Sequence, residues 1–123
     1  MQWNLSDNRP IYSQLMDTIT LAITSGVLPA GSRLPSVRDL AAEAGVNPNT
    51  MQRALSELER SGLLYSQRTA GRFVTDQPEN ITKKRKDLAM EQIHAFLNAM
   101  KEMGYTSEET IALIRQAMEE EKQ

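Results

Sequence analysis

The chain has 123 residues, no cysteine, one histidine, and a net charge of −2 from 14 basic and 16 acidic side chains. This length excludes a TIM barrel or a two-domain doubly wound enzyme, and the composition excludes disulfides and thiol catalysis. No apolar run approaches the ~20 residues of a membrane span and the N-terminus lacks a signal-peptide pattern, so we expect a cytoplasmic protein.

The first predicted element is an amphipathic helix that begins at Pro10, a residue favoured in the first helical turn. Apolar side chains recur every four residues from Ile11 to Ile23 and predict one buried face. Gly26 marks the end of this helix. Residues 28–35 contain two prolines and a glycine, which predicts an extended link.

Two further helices are predicted after this link. The pattern Ser36–Asp39 indicates a helix start, and Gly45 indicates its end. The pair Asn47–Pro48 supplies an N-cap and a first-position proline for the next helix, which should end near Ser61. Two helices joined by so short a turn predict a helix-turn-helix.

A β-hairpin is predicted directly after the third helix. Residues 63–67 and 72–75 are rich in β-branched and aromatic side chains, and residues 68–71 form the turn between them. A helix-turn-helix followed by a hairpin is a winged helix. The predicted fold class is therefore α+β, mostly α, with a winged-helix domain over residues 1–76.

Residues 77–123 are predicted to form a helical arm. This part has helix composition, with Gly104 separating two helices and a Thr106–Glu109 capping box starting the second. Two helices cannot bury two apolar stripes by themselves, so we expect the arm to form a homodimer. The predicted interface consists of Ala89, Ile93, Phe96, Leu97, Met100, Met103, Ile111, Ile114 and Met118.

The third helix has a polar face that could contact DNA. Its apolar stripe, from Met51 to Leu58, must face the core. The opposite side carries only amide, hydroxyl and guanidinium groups, on Asn49, Gln52, Arg53, Ser56 and Arg60. Such groups match base edges in the major groove. The alternative is an ordinary solvated face, but the flanking helix-turn-helix and wing favour DNA binding.

Arginines also occur at the edges of this predicted interface. Arg38 lies in the first turn of a helix, where the dipole opposes a cation, so it needs an anionic partner. Either a nearby carboxylate such as Glu43 or a DNA phosphate or base could serve, and Arg33 has the same two interpretations. Arg68 and Arg72 flank the hairpin turn, which is either a minor-groove wing or a solubilising turn.

Other interpretations involve the arm and different function classes. Lys83–Lys86 is placed at the expected start of the fourth helix, as either a phosphate contact or a solvated linker. His94 is the single histidine of a chain without cysteine, so we expect no metal and no cofactor. An unidentified small-molecule effector could bind between the arm helices.

A winged helix that binds proteins instead of DNA would fit the near-neutral charge, whereas no motif supports an enzyme.

Several motifs together resemble the N-terminal domain of GntR-family transcription regulators. The resemblance rests on Pro10–Gln14, Gly31–Ala41, Gly45–Thr50, Leu55–Glu59, Gly62–Leu64 and Gly71–Val74. The short arm and the sequence Val46–Thr50 are similar to the YtrA subfamily. That resemblance implies a small dimeric regulator without a large effector domain, often a repressor of ABC-transporter operons.

The resemblance also implies roles for individual residues. Arg38, Asn49, Thr50 and Gly71 match DNA-contacting positions of the family, whereas Gln52 and Pro48 stand where many members carry arginine, and Thr69 stands where the wing often has glycine. We therefore expect a repressor that binds a pseudo-palindromic operator of its own sequence. The candidate DNA-binding residues are Arg33, Ser36, Arg38, Asn47, Asn49, Thr50, Gln52, Arg53, Arg68, Thr69, Gly71 and Arg72.

Overall fold

The structure, a computed structural model, describes all residues 1–123. Its elements in chain order are α1 (Ile11–Thr24), α2 (Val37–Ala44), α3 (Pro48–Arg60), β1 (Leu64–Gln67), β2 (Gly71–Val74), α4 (Pro78–Glu102) and α5 (Ser107–Glu121). The predicted α+β, mostly helical fold class is confirmed. By compactness the chain divides into two units, Met1–Arg85 and Lys86–Gln123. The domain boundary after residue 76 stays a prediction.

Local capping fixes the helix-turn-helix. The Ser36 hydroxyl accepts a hydrogen bond from the Asp39 N–H at 3.1 Å at the start of α2. Gly45 ends this helix with a φ of 71°, which a side chain would disfavour. The Asn47 side-chain oxygen then accepts from the Asn49 N–H at 2.7 Å and starts α3.

The core of the first unit lies where α1 and α2 pack against α3. The N-terminal segment covers one side of this core with Met1, Trp3 and Leu5. Gln14, which is buried, accepts from the Ser6 N–H and so holds the segment against α1. The core consists of Leu15, Ile19, Ile23, Leu34, Leu40, Ala41, Met51, Ala54, Leu55, Leu58, Leu63, Leu64 and Val74.

The wing is an antiparallel hairpin in which Leu64 pairs with Val74 and Gln67 pairs with Gly71. The link before α2 adds to this sheet, because Arg33 forms an isolated bridge with Phe73. The two strands start and end within a residue of their predicted positions. The extended link is thus hydrogen-bonded to the wing, which places Arg33 beside it.

Helix α4 begins earlier than its basic cluster suggested. It starts at Pro78 with Glu79 in its first turn, so Lys83–Lys86 lies inside the helix and the placement at its start is wrong. Asn80 donates to the Gly62 carbonyl at 3.4 Å, and Ile81 packs against the core. The helix dipole acts mainly on the first turn, so cations beyond that turn cost little.

The second unit contains the end of α4 and all of α5. The predicted capping box is present: the Thr106 hydroxyl accepts from the Glu109 N–H at 3.1 Å, and the Glu109 carboxylate accepts from the Thr106 N–H at 2.9 Å. Only Met100 and Thr110 are buried in this unit. Most apolar side chains of the unit therefore remain in contact with solvent.

Candidate nucleic-acid interface

Helix α3 presents two chemically separate faces. Met51, Ala54, Leu55 and Leu58 are all buried, with at most 2% of each residue exposed. On the predicted polar face, Ser56 is half-buried and accepts a hydrogen bond from Gln52 at 3.1 Å. The predicted outward orientation is confirmed for the amide and guanidinium side chains of this face, which are exposed. These are Asn49, Gln52, Arg53 and Arg60. This face can therefore offer paired donors and acceptors to a DNA groove without losing core contacts.

Three of the candidate residues at helix starts have partners or burial within the protein. The Asn47 and Ser36 side-chain oxygens accept backbone hydrogen bonds as N-caps. Thr50 is half-buried, whereas its neighbour Asn49 is exposed. Both caps therefore shape the helix-turn-helix.

The structure sorts the six arginines between residues 28 and 72 into two groups. Arg60 pairs with Glu57 at 3.3 Å, and Arg72 pairs with Glu59 at 2.5 Å. The other four have no carboxylate within 4.0 Å, so the salt-bridge alternative for Arg33 and Arg38 is not formed. Glu43 instead contacts the N-terminal ammonium group at 3.2 Å. The unpaired arginines are Arg33, Arg38, Arg53 and Arg68.

Arg72 lies in a network that joins the wing to α3. The Glu59 carboxylate accepts from the Arg72 guanidinium and from the Ser66 hydroxyl, with the Arg72 side chain only 17% exposed. Partial burial raises the pKa of Glu59, but the hydrogen bonds from Ser66 and Arg72 and the charge of Arg72 outweigh it. The pKa of Glu59 is therefore lowered. Of the two wing arginines, Arg72 is the one held by the protein itself.

An open groove of about 410 Å³ lies between the start of α2 and the wing. Arg33, Ser36, Arg68 and Thr69 line it, so two of the arginines without a carboxylate partner border the same groove. Gly71 has a φ of 106°, and a Cβ at this position would lie 3.2 Å from the Arg33 Nε. The glycine therefore both forms the turn and leaves room for the Arg33 side chain.

Sequence reasoning missed one contact of this interface. The guanidinium carbon of Arg53 lies 3.6 Å from the centre of the Tyr12 ring, which joins α3 to α1. Tyr12 sits beside the apolar stripe of α1 and packs partly against the core. An aromatic residue at the edge of a helix stripe was the available signal, but its partner is far away in sequence.

The second unit carries an uncovered apolar face. Ile93 is 46% exposed, Phe96 43% and Met118 59%, and Ile114 is half-buried. Of the predicted interface residues, only Met100 is buried within the chain. An apolar face of this kind is costly in water unless a partner covers it. His94 is exposed on α4, the helix that also carries Ile93 and Phe96.

No group of three or more histidine, cysteine, aspartate or glutamate side chains is placed to hold a metal ion. None of the helices combines the length and the apolar character that a membrane span requires.

The chain is similar in sequence to known regulators. A profile described as bacterial regulatory proteins, gntR family, matches residues 11–74, which span α1 to β2. The uncharacterized HTH-type transcriptional regulator YhcF of Bacillus subtilis is 36% identical over 115 residues, covering 94% of this chain and 95% of that protein. The HTH-type transcriptional repressor YtrA of Bacillus subtilis is 37% identical over 67 residues, covering 54% of this chain and 52% of YtrA.

The fold of this chain is also similar to solved structures of transcription regulators. A GntR family transcriptional regulator from Listeria monocytogenes superposes with a TM-score of 0.85 and 35% identity, covering 91% of this chain and 98% of that one. AraR(DBD) in complex with operator ORR3 has a TM-score of 0.52 and 30% identity, covering 61% of this chain and 93% of that one. The first likeness includes the helical arm, whereas the second covers a smaller part of the chain.

Proposed function

The chain belongs to the GntR family of bacterial regulatory proteins and is a transcription regulator with a winged-helix DNA-binding domain; from this premise we propose that it is a homodimeric repressor of a transporter-type operon. In this proposal α3 enters the major groove of a pseudo-palindromic operator, and the wing at residues 68–72 lies at the minor groove.

The separation of the two faces of α3 carries the proposal. Asn49, Gln52 and Arg53 are exposed together on one helix, whereas every apolar side chain of that helix is buried. Amides pair with adenine and guanidinium groups with guanine through two hydrogen bonds each. The operator-bound AraR(DBD), which is similar in fold, supports the use of this domain on DNA.

The groove beside the wing supplies a second contact region. Arg33 and Arg68 have no carboxylate partner and face the groove at the start of α2. Phosphates and the narrow minor groove both attract such guanidinium groups. Arg38, unpaired in the first turn of α2, would add a phosphate or base contact. Thr69 and Gly71 would let the turn approach the DNA backbone.

The uncovered face of the arm supports the homodimer. Burial of side chains such as Ile93, Phe96 and Met118 against a second copy would remove them from water. A two-fold dimer presents two α3 helices, and in the simplest arrangement their half-sites lie about one DNA turn apart, ~34–36 Å. Such a dimer requires an operator with matching symmetry.

The repressor role and the operon type rest on the resemblance to YtrA-like regulators. YtrA is named a transcriptional repressor, and the aligned part covers about half of each protein. A dimer bound near a promoter blocks polymerase, which favours repression. A small-molecule effector between the arm helices is a further hypothesis, and thermal-shift screening of metabolites and antibiotics tests it.

One experiment separates DNA binding from the alternative of a protein-interaction module, which the net charge of −2 favours. The purified chain is used to select duplexes from a random-sequence pool, and the enriched duplex is compared with a scrambled one in a gel shift. We expect tight binding to the enriched duplex and a symmetric motif. Failure to enrich any motif, or a monomer in light scattering at micromolar concentration, would overturn the proposal.

A further inference from the structure

The contact between Tyr12 and Arg53 connects the outer face of α3 to a side chain of α1. The Arg53 guanidinium carbon lies 3.6 Å from the centre of the Tyr12 ring, which is the distance of direct cation–π contact. Tyr12 is itself half-buried and packs against the core. Its ring is therefore a fixed surface on which the flexible arginine side chain rests.

Arg53 differs from the other arginine of α3. Arg60 pairs with Glu57 on the same helix at 3.3 Å, whereas Arg53 has no carboxylate within 4.0 Å and donates no hydrogen bond within the protein. Its N–H donors are thus unused, although its position is held. A guanidinium in this state combines a restricted side chain with free donors, which lowers the entropy lost when it binds a ligand.

We propose that Tyr12 is a specificity-determining positioning residue, which holds the Arg53 guanidinium ready for a guanine edge or a phosphate of the operator. This inference rests on the proposed DNA binding by α3. Tyr12 acts through Arg53 and needs no contact with DNA of its own. Without the ring, Arg53 is still present but its side chain can sample other rotamers. The contact between Arg53 and the operator then forms less often.

The size of the effect follows from the strength of cation–π contacts at exposed sites. Replacing the ring by an aliphatic side chain should weaken operator binding about two- to five-fold. Tyr12→Phe keeps the ring and should bind like the parent chain. Tyr12→Leu keeps apolar bulk against the core but removes the π surface, so it should show the loss.

The test is a double-mutant cycle on the full chain. The probe is the duplex that the parent chain enriches from a random-sequence pool, and affinities are measured for Tyr12→Leu, Arg53→Gln and the double variant. We expect Tyr12→Leu to weaken binding in the parent background and to have no further effect once Arg53 is replaced. Tyr12→Phe should restore parental affinity in the same assay.

Ile11→Ala is the matched control, since Ile11 also packs against the core from the first turn of α1. It should lower the Tm without changing operator affinity. Additive effects of the two substitutions, an affinity unchanged by Arg53→Gln, or tighter binding by Tyr12→Leu would each overturn the inference while leaving DNA binding by the parent chain intact. Failure of the parent chain to bind any duplex would instead refute the proposed function.

Discussion

Replacing Glu59 by glutamine tests the coupling between the wing and α3. The substitution keeps the shape of the side chain but removes the charge that accepts hydrogen bonds from Ser66 and Arg72. Hydrogen bonds to a charged acceptor contribute roughly 1.5–3 kcal/mol, against about 0.5–1.5 kcal/mol for neutral pairs. Because the site is partly open to solvent, we expect Glu59→Gln to lower the free energy of unfolding by ~1–2 kcal/mol.

Trp3 provides the measurement, since it is the only tryptophan and packs against the core of the first unit. Its fluorescence on heating, at one fixed protein concentration, should show a Tm lowered by about 4–8 °C for each kcal/mol lost. Glu57→Gln is the control on the same helix, because the Arg60 side chain that pairs with Glu57 is 77% exposed. That variant should lose less than ~0.5 kcal/mol.

The difference in unfolding free energy between the parent chain and Glu59→Gln should depend on pH with a definite sign. The pKa of Glu59 is lower in the folded chain than its ordinary value of 4.5, so ionised Glu59 stabilises the fold fully above that ordinary value. The contribution is lost as the pH falls through the lowered pKa. The parent chain and Glu59→Gln should therefore differ in stability at pH 7 and converge under acid conditions. A constant difference, or equal losses in Glu59→Gln and Glu57→Gln, would refute this account of the network.

Three further predictions concern DNA binding, assembly and the wing. Gln52→Ala should change the preferred operator sequence, with ~1–3 kcal/mol lost for the base that it pairs with, as repeated selection of duplexes would reveal. Phe96→Glu should convert the dimer into a monomer in light scattering, whereas Leu21→Glu, at an exposed apolar position of α1, should leave the dimer intact. Gly71→Ala should lower the unfolding free energy by ~1–2 kcal/mol, since φ at Gly71 is 106°, and thermal unfolding measures this loss.

Much of the fold could be predicted in both units because the signals are local. The caps at Ser36, Asn47 and Thr106 bond to backbone groups two or three residues away, so the pattern of residue types determines them. The alternation of buried and exposed positions on α3 follows from the helical period in the same way. Pro78 is also a local start signal for α4. The helix dipole disfavours cations in a first turn, but this argument placed Lys83–Lys86 at the start of the helix, whereas the cluster lies inside it.

The sequence alone therefore determined the helix ends other than the start of α4, the winged-helix order and the polar face of α3, because each depends on neighbours within a few residues. Only the tertiary structure decided which arginines are free. Glu59 binds Arg72 and Tyr12 supports Arg53 because packing brings distant segments of the chain together. Charge pairing depends on distances of a few ångströms, and residue spacing along the chain does not specify those distances across the fold.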